Sequence, residues 1–419
     1  MHCASCVGLL LAGFLALSHS ELDEIGESDI YPFLTAPPNV QIAPGNTNFA
    51  FRFYHLIASQ NPRKNIFFSP LSISLAFSML SLGADKSSQS QILEGLGFNL
   101  TALSVPDIHE GFRYLLRMLM HPDHPDLETH VGIALFLSPN LKLLPRFIYD
   151  IEGFYNAKLH RPNFTDVAGT SRLINDYVRE KTNGKISNLV SQLSRDMKMV
   201  LVNFIYFKGL WEKPFPPSRI ALRDFHIDDK TIVQVPMMMH FQEPHWYFRD
   251  KRVPCSVLRM DYRGSMVALF VLPHEGKMHE VEQVLSPDML QRWLYLLQNR
   301  YFHKRLTLYM PKFSVSSSYE LDRILPMMGF GDLFSPNASF SGITTQQKLW
   351  LSKSFHKATM DVNEVGTEAA AVTGVSTVFL SAQQDYRVLM FDRPFFVALF
   401  SNMTRSLLFL GKVVNPMES

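Results

Sequence analysis

Three cysteines in 419 residues leave little room for covalent stapling. They cannot build a disulfide framework, and they fall short of a four-thiolate metal site. Charge of one sign is also scarce. Lys and Arg number 40 against 38 acids, a net charge of +2, so no global field draws the chain to DNA, RNA or an anionic membrane. No apolar run approaches the ~20 residues needed to span a bilayer. The nucleophile elbow G-x-S-x-G, the Walker loop and the G-x-G-x-x-G fingerprint are all missing, which removes the commonest hydrolase, nucleotide and dinucleotide readings. What the chain does have is core material: 47% hydrophobic residues, 33 of them Phe, against 19% charged. That balance excludes intrinsic disorder and supports a large unstapled core.

The histidines offer no metal centre. His274-Glu275 with His279 superficially resembles a zinc-protease helix. The second histidine lies five residues on rather than four, and Pro273 and Gly276 make the segment a turn. His121 and His124 stand among prolines without a third ligand. No nucleophile is placed with a base, so the sequence reads as a non-enzyme with no cofactor.

The ends read differently from the middle. Val7–Leu17 is an uncharged apolar run followed by Ser18-His19-Ser20, the pattern of a secretory signal peptide over residues 1–20. Cys3 and Cys6 leave with it, and Cys255 remains as a lone thiol, expected as a buried small hydrophobe. Residues 21–44 combine acids with Pro37, Pro38 and Pro44 and are expected as a flexible tail. Four N-x-S/T sequons, at Asn99, Asn163, Asn337 and Asn402, fit a secreted, extracellular glycoprotein.

From residue 45 to 419 no linker interrupts the chain, and one large domain is expected. Ser69-Pro70 sets an N-cap with proline at the first helical position. Leu71, Leu75, Met79 and Leu82 then follow one helical face to Gly83. Met199–Trp211, Met266–Leu272, Leu306–Ser314 and Leu407–Val414 are β-branched and aromatic, and each reads as a strand. Helices early, strands late and no strict alternation give an α+β class. Arg300, His303, Lys304 and Arg305 gather basic charge between a helical segment and a strand. Two readings stay open there: a solvated helix end, or a site for sulfated polyanions such as heparin or heparan sulfate.

Residues 364–391 are the most informative stretch. From Ala369 to Gln384 there is neither charge nor proline. Alternate positions Thr367, Ala369, Ala371, Thr373, Val375 and Thr377 are small or β-branched. Such a segment can lie exposed, yet it can also enter a sheet without burying a charge.

Motifs along most of the chain resemble those of the serpin family, clade A. They include Asn65-Ile-Phe-Phe-Ser-Pro-Leu-Ser72, Lys181-Thr-Asn-Gly-Lys-Ile186, Val235-Pro-Met-Met238, Phe355-His-Lys-Ala358, Phe391-Asp-Arg-Pro-Phe395 and Leu408-Phe-Leu-Gly-Lys412. The resemblance implies a serpin fold with three β-sheets, about nine helices and an exposed reactive-centre loop over about 364–390. It implies a monomeric plasma inhibitor that traps a serine protease covalently, as a suicide substrate. In that scheme Glu364, Gly366, Thr367, Ala369, Ala370 and Ala371 are the hinge. Leu380-Ser381 is the scissile bond, sixteen residues after Glu364. Lys312 pairs with Glu364 near Trp211, and Ser69, Ser72, Asn203 and His356 form a polar cluster beneath the sheet. Leu380 suits an apolar primary pocket, so the expected target is chymotrypsin-like or, by family likeness, tissue-kallikrein-like. A non-inhibitory carrier or polyanion-binding serpin is the other reading.

Overall fold

The computed structural model describes residues 37–367 and 387–418. The strands in chain order are β1 (Ile66–Phe68), β2 (Leu127–Leu137), β3 (Lys158–His160), β4 (Met199–Leu210), β5 (Ala221–His226), β6 (Ile232–Arg249), β7 (Cys255–Asp261) and β8 (Met266–Pro273). They continue with β9 (His303–Pro311), β10 (Phe313–Glu320), β11 (Lys353–Val362), β12 (Gly366–Thr367), β13 (Val388–Met390), β14 (Phe395–Ser401) and β15 (Ser406–Val413). One sheet runs β10-β11-β4-β2-β3, with β12 on the end of β4. The other runs β1-β15-β14-β8-β7-β6-β9-β13, with β5 on β6.

The expected third sheet is continuous with the second. Strand β6 joins the two, pairing with β5 over Ile232–Met237, with β9 from Met237 to Trp246 and with β7 from Trp246 to Arg249. The pairing with β9 shifts register between His240 and Glu243, and Gln242 there has φ 54°. That irregularity bends one strand across two layers instead of starting a new one.

The helix Pro70–Ser81 forms as its residues dictate. Ser69 is extended, and its hydroxyl accepts the backbone N–H of Ser72 at 3.0 Å. This satisfies one of the donors that the first turn leaves open. All twelve residues of the helix are buried, so it runs through the core between the two sheets, touching β15 and β4. Its serines replace the polar face that a surface helix would show to water.

Two expectations change. Residues 38–44 are not tail: Pro38–Gln41 is helical, the helix Ala43–Gln60 follows, and Ile42 is buried. Prolines in a helix's first turn lose no hydrogen bond, so Pro38 and Pro44 do not stop it. Leu306–Ser314 is not one strand either. β9 ends at Pro311, Lys312 intervenes, and β10 belongs to the other sheet. Residues 1–36, with the signal-peptide reading and most of the tail, lie outside the described residues.

Candidate functional site: the seam of the six-stranded sheet

Within the six-stranded sheet, β10–β11 and β4–β2 are antiparallel, while β11 and β4 are parallel. Lys353–Thr359 pairs directly with Val200–Tyr206, so no strand lies between them. Parallel ladders have slanted bonds and are slightly weaker per residue. At this seam an additional antiparallel strand would exchange one parallel ladder for two antiparallel ones.

At the seam's upper end the chain reverses on itself. Asn363 Oδ1 accepts the backbone N–H groups of Val365 (2.9 Å) and Gly366 (3.2 Å), and Asn363 N donates to Gly366 O at 2.9 Å. The returning segment then pairs antiparallel with β4, Gly366 opposite Leu210 and Thr367 opposite Gly209. Gly366 has φ 153°, and a Cβ there would sit 2.1 Å from Gly209 O and 2.6 Å from Leu210 Cα. Only glycine permits that approach.

The expected ion pair is present: Lys312 Nζ lies 2.5 Å from Glu364 Oε2. Burial works to raise the Glu364 carboxyl, but the Lys312 ammonium prevails and holds it below its ordinary range. Trp211 is fully buried, donates through Nε1 to Asn363 O (3.1 Å) and through its backbone N to Val365 O (2.8 Å). Its indole stacks on Tyr262 with ring centroids 4.2 Å apart. Phe215 N donates to Glu364 O at 2.7 Å. Asn363, Phe215 and Tyr262 were not anticipated. The Asn-x-x-Gly turn at 363–366 is a readable signal, whereas the other two depend on long-range packing.

Further down, the four polar residues assemble as expected. His356 and Asn203 face each other across the seam. His356 Nε2 accepts Ser69 N–H at 3.0 Å, which leaves its proton on Nδ1, donated to Asn203 Oδ1 at 2.6 Å. Ser72 Oγ donates to the same oxygen at 3.1 Å, and Asn203 Nδ2 donates to Phe355 O at 3.2 Å. This network ties the buried helix to both strands of the seam.

Complete burial lowers the His356 imidazole to about 3, so it is neutral in the fold. The unfolded chain takes up a proton near pH 6.5 that the fold refuses. The stability contributed is therefore complete above pH 6.5 and falls as pH drops toward 3, by about 2 kcal/mol at pH 5 from this residue alone. Thermal melts of the parent and His356→Gln between pH 7 and pH 5 test this. The variant is expected to be less stable at pH 7, with a shallower pH slope by one proton. An unchanged slope would mean that His356 is not the titrating group.

The basic residues do not share one face. Arg300 opens the single turn Arg300–Phe302, and β9 follows. Arg300, His303 and Arg305 are exposed. Lys304 points to the other side of the strand, its Nζ 4.3 Å from the Tyr301 ring centroid. All four sequon asparagines are exposed, and Asn99 and Asn163 each accept the hydroxyl of the threonine two residues on. Cys255 is buried and free, with burial first and Asp250 second pushing its thiol up to about 12. Ala369, Ala370, Ala371, Leu380 and Ser381 lie outside the described residues. Among the described residues no group of three or more His, Cys, Asp or Glu could hold a metal ion, and no helix is long and apolar enough to cross a membrane.

Comparison with known proteins agrees with this architecture. Kallistatin of Pongo abelii is 58% identical over 425 residues, covering 99% of both chains. The crystal structure of human glycosylated kallistatin superposes with a TM-score of 0.87 at 59% identity, over 91% of this chain and 99% of that one. Human thyroxine-binding globulin complexed with thyroxine gives 0.85 at 41%, over 91% and 100%. Cleaved kallistatin complexed with heparin gives 0.76 at 61%, over 78% and 96%. The family model described as "Serpin (serine protease inhibitor)" matches residues 44–416, and with the seam, the returning hinge and the polar cluster in place, the chain belongs to the serpin family.

Proposed function

We propose that this serpin is a secreted, monomeric glycoprotein of plasma that inhibits serine proteases as a suicide substrate, without catalysis or cofactor of its own. The observation that carries the reading is the parallel β11–β4 seam with the chain already turned back onto β4 at Gly366–Thr367. After cleavage at Leu380-Ser381 the freed segment can continue that antiparallel pairing downward. It then replaces one parallel ladder with two antiparallel ones, a mode of strand addition of which serpin loop insertion is a known case. Thr367 and the run Ala369-Ala370-Ala371 bring no charge or bulk to the interior. The covalently attached protease is carried along and its active site distorted.

The target is read from Leu380. A leucine fills an apolar primary pocket, and an acid-based pocket would leave its carboxylate unpaired against a methyl group. Chymotrypsin-like enzymes are the expected targets, with a tissue-kallikrein-like enzyme served through contacts outside that pocket. Incubation with chymotrypsin and with trypsin should give denaturant-resistant complexes faster with chymotrypsin, by roughly 10- to 100-fold in rate. Leu380→Arg should reverse the order. The new N-terminus should read Ser381-Ala382-Gln383, and a different cut would discard the register on which this target choice depends.

The similarity to the heparin complex of cleaved kallistatin supports a polyanion site at Arg300, His303, Lys304 and Arg305. The similarity to thyroxine-binding globulin favours a second reading, a non-inhibitory carrier. Failure to form any covalent complex across a protease panel would select it.

A further inference from the structure

A cavity of about 370 Å³ opens over the strands β10 and β11. Its floor is a ladder of small polar pairs: Ser314 stands opposite Asp361, Ser316 opposite Thr359 and Ser318 opposite Lys357. The alternation of a strand puts all six on one face. Lys185 and Ser187, from the chain just past the helix Val167–Lys181, form the opposite wall.

Charge is unevenly matched along this floor. At one end Asp361 accepts the Ser314 hydroxyl at 2.5 Å and lies 3.9 Å from Lys185 Nζ. Four residues away along β11, at about 13 Å, Lys357 is half-buried. Its Nζ donates to Ser187 O at 3.0 Å. Burial alone lowers that ammonium, with no neighbouring carboxylate to oppose the shift. An ammonium withdrawn from water without a counter-ion is costly, and this one keeps two further N–H donors. Next to it the Ser316 and Thr359 hydroxyls share one hydrogen bond at 2.9 Å, so one hydroxyl hydrogen of the pair remains to be given. Donors converging in this way suit an anion with several acceptor oxygens. The Ser187 carbonyl narrows the choice, because it accepts a proton. Hydrogen phosphate carries one, and sulfate does not.

The wall of the cavity also bears on the seam. Ile186, Val190 and Met197, in the chain between the helix and β4, bury in one cluster with Phe136 of β2, Val202 of β4 and Phe355 of β11. This layer therefore crosses the β11–β4 seam on the face of the sheet. A strand entering the seam must part Phe355 from Val202, which are paired directly, and the layer that rests on both must give way.

We propose that this cavity binds phosphate, with Lys357 as its cation, the hydroxyls of Ser316, Thr359 and Ser318 as donors and Ser187 O as acceptor, and that the bound ion ties the crossing chain to β11 and slows strand insertion. The site stands on its geometry, and the slowing rests on the inhibitory reading above. The site lies on the six-stranded sheet, whereas Arg300, Lys304 and Arg305 lie at the start of β9 in the other, and it takes one small ion rather than a polyanionic chain.

Isothermal titration calorimetry of the full protein with inorganic phosphate, at an ionic strength held constant with chloride, tests the site. Saturable binding with a Kd below about 1 mM is expected. Sulfate should bind about tenfold more weakly, the loss of one hydrogen bond. Ser318→Glu places a carboxylate opposite Lys357 at an exposed position, so the fold is kept while the cation is paired, and phosphate binding should be lost. Lys357→Gln should lose it too. Replacing Arg300, Lys304 and Arg305 together by Ala should leave phosphate affinity within about twofold, as expected of distant sites. A parent without saturable heat, or a Ser318→Glu protein that binds as the parent does, overturns the site, and equal affinity for sulfate overturns its assignment to phosphate. The slowing is read separately. Saturating phosphate should slow formation of the denaturant-resistant complex with chymotrypsin about fivefold or more, and should leave the rate of Ser318→Glu unchanged. An unchanged rate in the phosphate-bound parent overturns the slowing. A parent that forms no covalent complex in either buffer sinks the inhibitory reading, while the titration still judges the site, and the failures are thereby told apart.

Discussion

Thr367→Arg should convert the inhibitor into a substrate. Thr367 pairs through its backbone with Gly209 at the mouth of the seam, and each later residue of the loop must follow it between β11 and β4. An arginine at this position would carry its charge into the sheet as the loop enters. An unpaired buried charge costs several kcal/mol, enough to slow insertion at its first step. The acyl-enzyme then has time to hydrolyse, and active protease is released with the loop cut. The expected result is a rise of about tenfold or more in the molar excess needed to abolish protease activity, as a barrier increase of ~1.4 kcal/mol already gives tenfold in rate. Denaturing gels should show cleaved inhibitor in place of the covalent complex. If the variant traps protease as efficiently as the parent, insertion through this seam is not the mechanism.

Cleavage of the loop should stabilise the protein greatly. An inserted strand satisfies the facing backbone groups of β11 and β4 on both sides. About a dozen added residues, at roughly 0.5–1.5 kcal/mol net per hydrogen bond, give a gain on the order of 10 kcal/mol. For a domain of this size such a gain corresponds to a rise in melting temperature of roughly 10–15 °C. Part is offset by the His356–Asn203 bond across the seam, which the entering strand must break. Calorimetry of intact and loop-cleaved protein measures the difference directly. Equal melting temperatures would remove the basis for an inhibitory reading and favour the carrier.

Local rules made some of this structure readable. Ser69-Pro70 announced the buried helix because capping depends on neighbours in sequence, and the strands β4, β8 and β15 followed from runs of apolar residues. The pairing of Lys312 with Glu364, and the meeting of Ser69, Ser72, Asn203 and His356, span too much chain for spacing to disclose them. Likeness to a family supplied them. Where local rules misled, they did so for physical reasons. Strand-forming residues stand on both sides of Pro311 and Lys312, so composition alone does not report that β9 and β10 enter different sheets. Proline marks a break in most contexts, but at the first turn of a helix it is compatible with continuation, and the fold therefore begins before Pro44.

The order of strands in the nine-stranded sheet also bears on how the molecule is made. β14 and β15, the last strands in the chain, lie inside that sheet, between β1 near the start and β8 in the middle. Ile66 pairs with Lys412, and the helix Pro70–Ser81 packs against β15. A chain leaving the ribosome thus exposes the apolar faces of β1, β8 and this wholly buried helix until the final residues emerge. Contacts of such long sequence separation fold slowly, and the waiting surface is open to wrong partners. Loss of even the last strand would remove an interior strand of the sheet and cut β1 off from β14. Nonsense changes late in the coding sequence should therefore abolish accumulation of the protein outright, instead of yielding a slightly shortened inhibitor.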